Sequence, residues 1–370
     1  MMLALALTIA LAPKSAARPP LYVHVMPWFS KSGRDLGWHW SMNRPLEQGL
    51  ASHYHPLIGA YDSGDPDVIE LQIGWMKIAG FDGVLADWYG VKDHFDYPMI
   101  HERTKLLFAA ATKAELKIGV VYEDQSIGNA IRAEKMTLAE KPSAITEVGS
   151  FLRKTWLSQP NWIRFKGKPA MLVFGPQAFN EADWTDFRKA AGDHHLVTLH
   201  KTYPSSSGAY DWPIPDLGRK FTDQFKDRAK DWGIKIPVAY PRFHDFYEEA
   251  GQKGYPEISD DGGATYRETL ELALQDSPDA VQVATWNDWQ EGTQIEPSTE
   301  FRYRDLIVTQ AARRKLDPKF AFAAADVYLP LRLYRLRKSR PSSGLDAVAK
   351  ALQSGNTALA KRLLDRAEQR

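Results

Sequence analysis

Two carboxylates three residues apart, Asp288 and Glu291, lie in the stretch Val281-Gln282-Val283-Ala284-Thr285-Trp286-Asn287-Asp288-Trp289-Gln290-Glu291-Gly292-Thr293-Gln294-Ile295-Glu296-Pro297. The stretch opens apolar and turns abruptly polar, as a buried strand does when it runs out into a cleft. Trp286 and Trp289 flank the first acid, and Gly292 releases the backbone after the second. Paired acids beside flat indoles suit glycosidic chemistry. One acid serves the leaving oxygen, the other works on the far side of the ring, and aromatics cover the C–H face of the sugar. The plain alternative is a strand that ends in an ordinary polar loop.

Other strand ends supply further groups. Gly83-Val84-Leu85-Ala86-Asp87-Trp88-Tyr89-Gly90 runs from apolar to acidic and aromatic, and Leu116 to Asp124 ends in Tyr122-Glu123-Asp124. Asp87 and Glu123 are expected to bind sugar hydroxyls without breaking bonds. Trp28, Tyr61, Trp88, Tyr89, Tyr240, Trp286 and Trp289 are candidate sugar-facing aromatics, and His244, Asn287 and Glu296 are candidate polar contacts. His53 and His55 lie near each other, and His244 precedes Asp245, yet no third ligand at metal-site spacing frames them. No metal or cofactor is expected.

These residues need a scaffold that brings separate strand ends together. The chain of 370 residues fits one large α/β domain with an appendage. Strand-like runs begin near residues 21, 83, 116, 168, 195, 208, 236 and 281, with helical patterns between most of them. Asp65-Pro66-Asp67 signals a helix start, Ile69, Ile73 and Met76 recur at helical spacing, and Gly80 signals its end. Repeated strand-then-helix order implies a parallel sheet, and eight units fit a (β/α)8 TIM barrel, whose chemistry sits at the C-terminal ends of the strands. The expected organisation is a signal peptide over 1–17, a barrel over 18–318 and a C-terminal helical extension over 319–370. The leader rests on the apolar run from Leu3 to Ala12 and the small-residue site Ser15-Ala16-Ala17. It predicts export to the periplasm or the exterior. The basic segment from Ala321 to Lys338 is expected to pack on the barrel rather than lie on a membrane.

Composition excludes several classes. A net charge of +1 gives no electrostatic case for a nucleic-acid partner. The absence of cysteine removes disulfides, thiolate metal sites and a cysteine nucleophile. The expected partner is an oligosaccharide or polysaccharide, bound by a monomer.

The chain resembles the glycoside hydrolase family 71/99-like proteins, related to endo-α-mannosidases and α-1,3-glucanases. The residues that carry this are Gly59 to Pro66, Met76-Lys77-Ile78-Ala79-Gly80-Phe81-Asp82-Gly83, Asp87-Trp88-Tyr89-Gly90 and, above all, Thr285 to Pro297. The resemblance spans about residues 21 to 310. It implies a retaining, endo-acting glycoside hydrolase of α-linked glycans (α-mannoside or α-glucan) that uses no metal or organic cofactor. In the endo-α-mannosidase branch the motif reads Trp-Asn-Glu-Trp-X-Glu-Gly. Its first Glu deprotonates the sugar 2-hydroxyl, which attacks the anomeric carbon to give a 1,2-anhydro sugar. Its second Glu protonates the departing oxygen and later activates water. These roles fall on Asp288 and Glu291, and the departure is aspartate at 288, one methylene shorter. The rival readings are a non-catalytic carbohydrate-binding barrel and a polysaccharide-assembly protein. Retention of Glu291 argues against the first, and a leader argues against the second.

Overall fold

Leu21-Tyr22-Val23-His24-Val25 joins β-branched and aromatic residues with no turn former among them, and it forms strand β1 (Leu21–Val25), buried along its whole length. The computed structural model describes residues 18–340 and 343–369. The leader expected over 1–17, and residues 341–342 of the break before the last helices, lie outside the described residues. The other barrel strands are β2 (Gly83–Trp88), β3 (Lys117–Tyr122), β4 (Lys168–Val173), β5 (His195–Leu199), β6 (Gly208–Tyr210), β7 (Lys235–Ile236 with Val238–Ala239) and β8 (Val281–Val283). Their near-continuous apolar sequences suit strands covered on both faces.

All neighbours in the ring pair in parallel, β1 between β8 and β2, then on through β3, β4, β5 and β6 to β7. The ring closes through Pro237. Lys235–Ile236 pairs with β6, whereas Val238–Ala239 pairs with β8. Proline has no N–H to give to the ladder, so it divides the strand into two segments. Its carbonyl still accepts the Gln282 N–H at 3.0 Å. The nine parallel segments thus act as the eight strands of the expected barrel.

The helix Pro66–Ala79 has the bounds its sequence signals predict. Asp65 accepts the Asp67 N–H, and Gly80 ends it at φ 99°. A Cβ on Gly80 would meet Arg313 Cγ at 2.8 Å, so that position is closed to other residues. The helix is buried on more than its barrel face because the tail covers the other side. The Trp75 indole N–H donates to the Val327 carbonyl at 2.9 Å, and the helix Leu329–Ser339 lays Pro330 against Gly74. Arg337 pairs with Glu70 at 2.6 Å and Lys338 with Asp65 at 2.7 Å, so two of the tail's basic residues face the acidic start of this helix. No described helix is long and apolar enough to cross a membrane.

Two further helices start at Tyr97 and Lys141. In each, a proline at the second helical position (Pro98, Pro142) is the start signal that the apolar stripe does not carry. At the bottom of the barrel Asp82 accepts pairs of bonds from Arg18 and Arg313 and one from the Leu21 N–H. Burial pushes its carboxyl up, but the two guanidinium groups outweigh that and hold it below the usual range. This clamp ties the starts of β1 and β2 to the helix Arg304–Leu316.

Candidate active site

Alternation along β2 decides which side chains face the interior. Asp87 points into the barrel mouth, where its Oδ1 lies 3.5 Å from His24 Nε2 of β1. On the other side His24 Nδ1 approaches Gln282 of β8 at 3.5 Å, and its ring meets the edge of Trp212, which follows β6, at 4.9 Å. Glu123 comes just after β3 and accepts the Gln125 side-chain amide at 2.8 Å. Its neighbour Asp124 has a different task. Its carboxylate accepts the backbone N–H groups of Gln177, Ala178 and Phe179 and fixes the turn after β4.

The chain beyond β8 closes on itself. Thr285 N–H donates to the Thr293 carbonyl, and Ile295 N–H returns to Thr285. Thr285 Oγ1 accepts the Asp288 N–H at 2.7 Å, and Asp288 Oδ1 accepts the Glu291 N–H at 3.0 Å. Asp288 therefore caps the turn that carries Glu291. The Glu291 carbonyl accepts the His244 N–H at 2.8 Å, and the strand passes so close that a Cβ on Gly292 (φ 67°) would stand 2.6 Å from the His244 carbonyl oxygen. Tyr247 donates its hydroxyl to Glu291 Oε1 at 3.1 Å. Asp245 holds that tyrosine's loop by accepting the N–H groups of Tyr247 and Tyr255.

Four carboxyls from three strand ends thus share one mouth, Asp87, Glu123 and Asp288 buried and Glu291 half-buried, and they perturb one another. Burial pushes Asp288 up to about 7, opposed by the Glu291 N–H and reinforced by the charge of Asp87. The backbone N–H groups of Glu291 and Gln290 favour an ionised Asp288, but burial is the larger effect. Glu291 is raised well above the carboxylate range by burial and then by the charge of Asp288, with the Tyr247 hydroxyl bond opposing. Glu123 is raised likewise, by burial and then by Asp87. At neutral pH such a cluster holds protonated and ionised carboxyls side by side, the division of labour that acid–base catalysis requires.

Several expected contacts fall elsewhere. Trp88 alternates to the outer face of β2, donates its N–H to His101 at 3.1 Å and packs edge-on against Trp156. Tyr240 also points outward, its hydroxyl 3.1 Å from Thr222 Oγ1. Trp286 and Trp289 are fully buried and present no face to a sugar. Asn287 spends its amide on the backbone of Met26, accepting its N–H at 2.8 Å and donating to its carbonyl at 3.0 Å. Tyr61 and Glu296 form a buried knot beneath the mouth, in which Glu296 accepts from Tyr61, Gln72 and Trp289. Trp28 is nearly covered by a stacked His39 ring at 4.4 Å. The motif's aromatics and outer polar groups therefore build the support of the site. Tyr89 remains partly open at its edge, as does His244, stacked on His53 at 3.7 Å.

His24, Gln282 and Tyr247 belong to the site and were missed. A histidine inside the apolar run of β1 and a glutamine inside that of β8 were available signals, since buried polar groups need a reason. Tyr247 lies in a loop without a pattern, and only its nearness to Asp245 could have marked it. Among the described residues no three His, Asp or Glu side chains converge to hold a metal ion. The Glu296 knot gives a stability prediction. Glu296→Ala orphans three buried donors at ~1–3 kcal/mol each, so urea unfolding should show a loss of about 3–5 kcal/mol. A loss below about 1 kcal/mol would mean that the knot carries little of the fold.

No family model matches the chain. A glycoprotein endo-alpha-1,2-mannosidase-like protein of Danio rerio is 24% identical over 280 residues, covering 67% of this chain; the match spans 60% of that relative's length. The GH99 endo-alpha-mannosidase of Bacteroides thetaiotaomicron superposes with a TM-score of 0.61 at 18% identity, covering 82% of this chain and 98% of that one. A second structure of that enzyme, in complex with BIS-TRIS-propane, gives 0.62 at 20% identity, with 83% and 100% covered. The chain thus has an endo-alpha-1,2-mannosidase-like homologue and shares the barrel fold of the GH99 endo-alpha-mannosidases.

Proposed function

We propose that the protein hydrolyses internal α-mannosidic linkages with retention of anomeric configuration. The observation that carries this reading is the turn in which Asp288 holds the backbone of Glu291, with Asp288 buried and Glu291 half-buried in a mouth shared with Asp87 and Glu123. Asp288 takes the proton of the sugar 2-hydroxyl as O2 attacks C1, and the departing oxygen takes the proton of Glu291. Water then gives its proton to the Glu291 carboxylate and adds to C1, which opens the anhydro ring, and O2 recovers its proton from Asp288. Two inversions leave the configuration unchanged. Asp87 and Glu123 hold sugar hydroxyls, and Tyr247 orients Glu291. The names of the relatives favour mannosides over α-glucans.

The reading is tested by incubating the protein with α-linked manno-oligosaccharides and following the reducing ends by proton NMR. The α-anomer should appear first. Initial release of the β-anomer would sink the retaining mechanism, and binding without turnover would make this a carbohydrate-binding barrel. Export through the segment 1–17 is part of the proposal. An intact Met1 on cytoplasmic protein in the native host would refute it.

A further inference from the structure

We propose that the seam between the barrel and the C-terminal tail holds a second ligand site, an oxyanion pocket for the phosphate monoester of a single sugar. The site is separate from the acids after β8 and does not depend on the reading that the barrel cuts mannosides. It is a groove of 510 Å³, within the ~300–1,000 Å³ of small-ligand sites. Leu57 comes to it from the loop after β1, Arg302 and Tyr303 from the chain beyond β8, and Tyr328, Arg332 and Arg335 from the tail. The tail's basic segment therefore does more than cover the helix Pro66–Ala79. It brings two guanidinium groups to a third on the barrel.

Charge marks the groove for an anion. The helix Leu329–Ser339 carries four basic residues. Arg332 is held by Asp365 and Glu368, Arg337 by Glu70 and Asp346, and Lys338 by Asp65 and Asp67. Arg335 is exposed and alone takes no carboxylate among the described residues. Arg302 is likewise exposed and has no carboxylate partner among the described residues. The acids nearest it in the chain are engaged elsewhere, Glu300 with His55 and Asp305 with Arg242 and Arg304. Burial raises the Tyr303 hydroxyl to about 12, and the charges of Arg335 and Arg302 both pull it down, so both guanidinium groups lie near that one hydroxyl. Two uncompensated cations over one groove repel each other, and a ligand with two negative charges removes that repulsion. A phosphate monoester carries about −1.5 to −2 charges at neutral pH, and guanidinium forks match its oxygens in pairs. A carboxylate or a sulfate ester supplies only one charge.

The aromatic side of the groove suits a sugar. Tyr328 is 51% exposed and meets Tyr303 edge-on at 4.6 Å. Tyr303 in turn meets the buried Trp75 edge-on at 6.2 Å, which anchors the pair in the core. Tyr328 thus offers a positioned flat ring beside the cations, Leu57 adds apolar surface, and the C–H face of a pyranose can lie on both. The backbone of Arg302 is held at φ 52°, and its N–H donates to the Ser298 carbonyl at 3.0 Å, so the start of that side chain is fixed as well.

The test is calorimetric titration of the full chain, at low ionic strength, with glucose 6-phosphate, inorganic phosphate and glucose. Glucose 6-phosphate should bind about tenfold tighter than inorganic phosphate or more, and glucose should bind more weakly than either. Arg302→Ala and Arg335→Ala should each weaken the sugar phosphate about tenfold or more, the loss of a charge-assisted hydrogen bond. Tyr328→Ala should bring the sugar phosphate down to the level of inorganic phosphate. Lys319→Ala removes an exposed charge outside the groove and should leave the affinity unchanged. All four side chains are exposed, and an unchanged far-UV spectrum and melting temperature would verify the fold. Failure of folded protein to bind glucose 6-phosphate, losses below about threefold in both arginine variants, or an equal loss in Lys319→Ala would overturn the site. Equal affinity for inorganic phosphate and the sugar phosphate would overturn the sugar assignment.

Discussion

Glu291→Gln should lose hydrolysis of a natural α-mannosidic linkage by ~100–10,000-fold while releasing the phenol of an activated aryl glycoside at close to the parental rate in the first turnover, since only the later attack of water needs Glu291 as a base there. The departing sugar oxygen needs a proton in the transition state, and an activated phenolate does not. Burial, the charge of Asp288 and the surrounding acids raise Glu291 well above its ordinary value, the direction that a proton donor needs. The same shift fixes the alkaline side of the pH profile. Activity on the natural substrate should fall as pH rises through the Glu291 value, and the Gln variant should lack that limb on the aryl substrate. Stability supplies a control with a definite sign. A carboxyl whose folded value is raised contributes stability below its unfolded value and loses it as pH rises through the folded one. Glutamine cannot ionise, so the melting temperature of the variant relative to the parent should climb with pH. Equal loss of first-turnover release on both substrate types would remove Glu291 from the acid role.

The sequence carried the scaffold of this site further than the site itself. All eight strands stand near their expected places because each is a short apolar run that must be covered on two faces, a signal local to the run. The capped helix from Pro66 is legible for a similar reason, since Asp65, Pro66 and Gly80 act on their own backbone. Side-chain direction at strand ends is not local. Asp87 and Trp88 are consecutive, and only the register of β2 sends one into the mouth and the other to His101 and Trp156. Asn287 and Glu296 look like sugar ligands in a polar motif. Apart from Trp289, which bonds Glu296, their partners Met26, Tyr61 and Gln72 are more than 200 residues away, so little near them in the chain shows that they are already engaged. Tyr247 shows the converse, a residue with no motif that reaches Glu291 because β7 and β8 are adjacent.

Asp288→Asn should lower turnover of natural and aryl substrates alike by ~100–10,000-fold, because the 2-hydroxyl must lose its proton whatever the leaving group is. The base must be ionised. With Asp288 pushed up to about 7, activity should rise with pH through that value and fall away below it. Asp288→Glu is the sharper experiment, since glutamate is the residue of the related motif. The aspartate does two things at once. One oxygen accepts the Glu291 N–H at 3.0 Å and so sets the turn that aims the acid, and the same carboxylate serves as the base. A glutamate is one methylene too long to cap a turn across three residues in the same way. It would carry its carboxylate deeper into the mouth, toward Asp87, and release the backbone of Glu291. A displacement of ~1 Å at a catalytic group can cost ~100-fold, so Asp288→Glu should lose about that much in kcat. The acidic limb should also move to higher pH, because a carboxylate nearer Asp87 is harder to ionise. A gain in kcat would mean that the turn has no need of the shorter side chain and that the wild-type base stands too far from its proton.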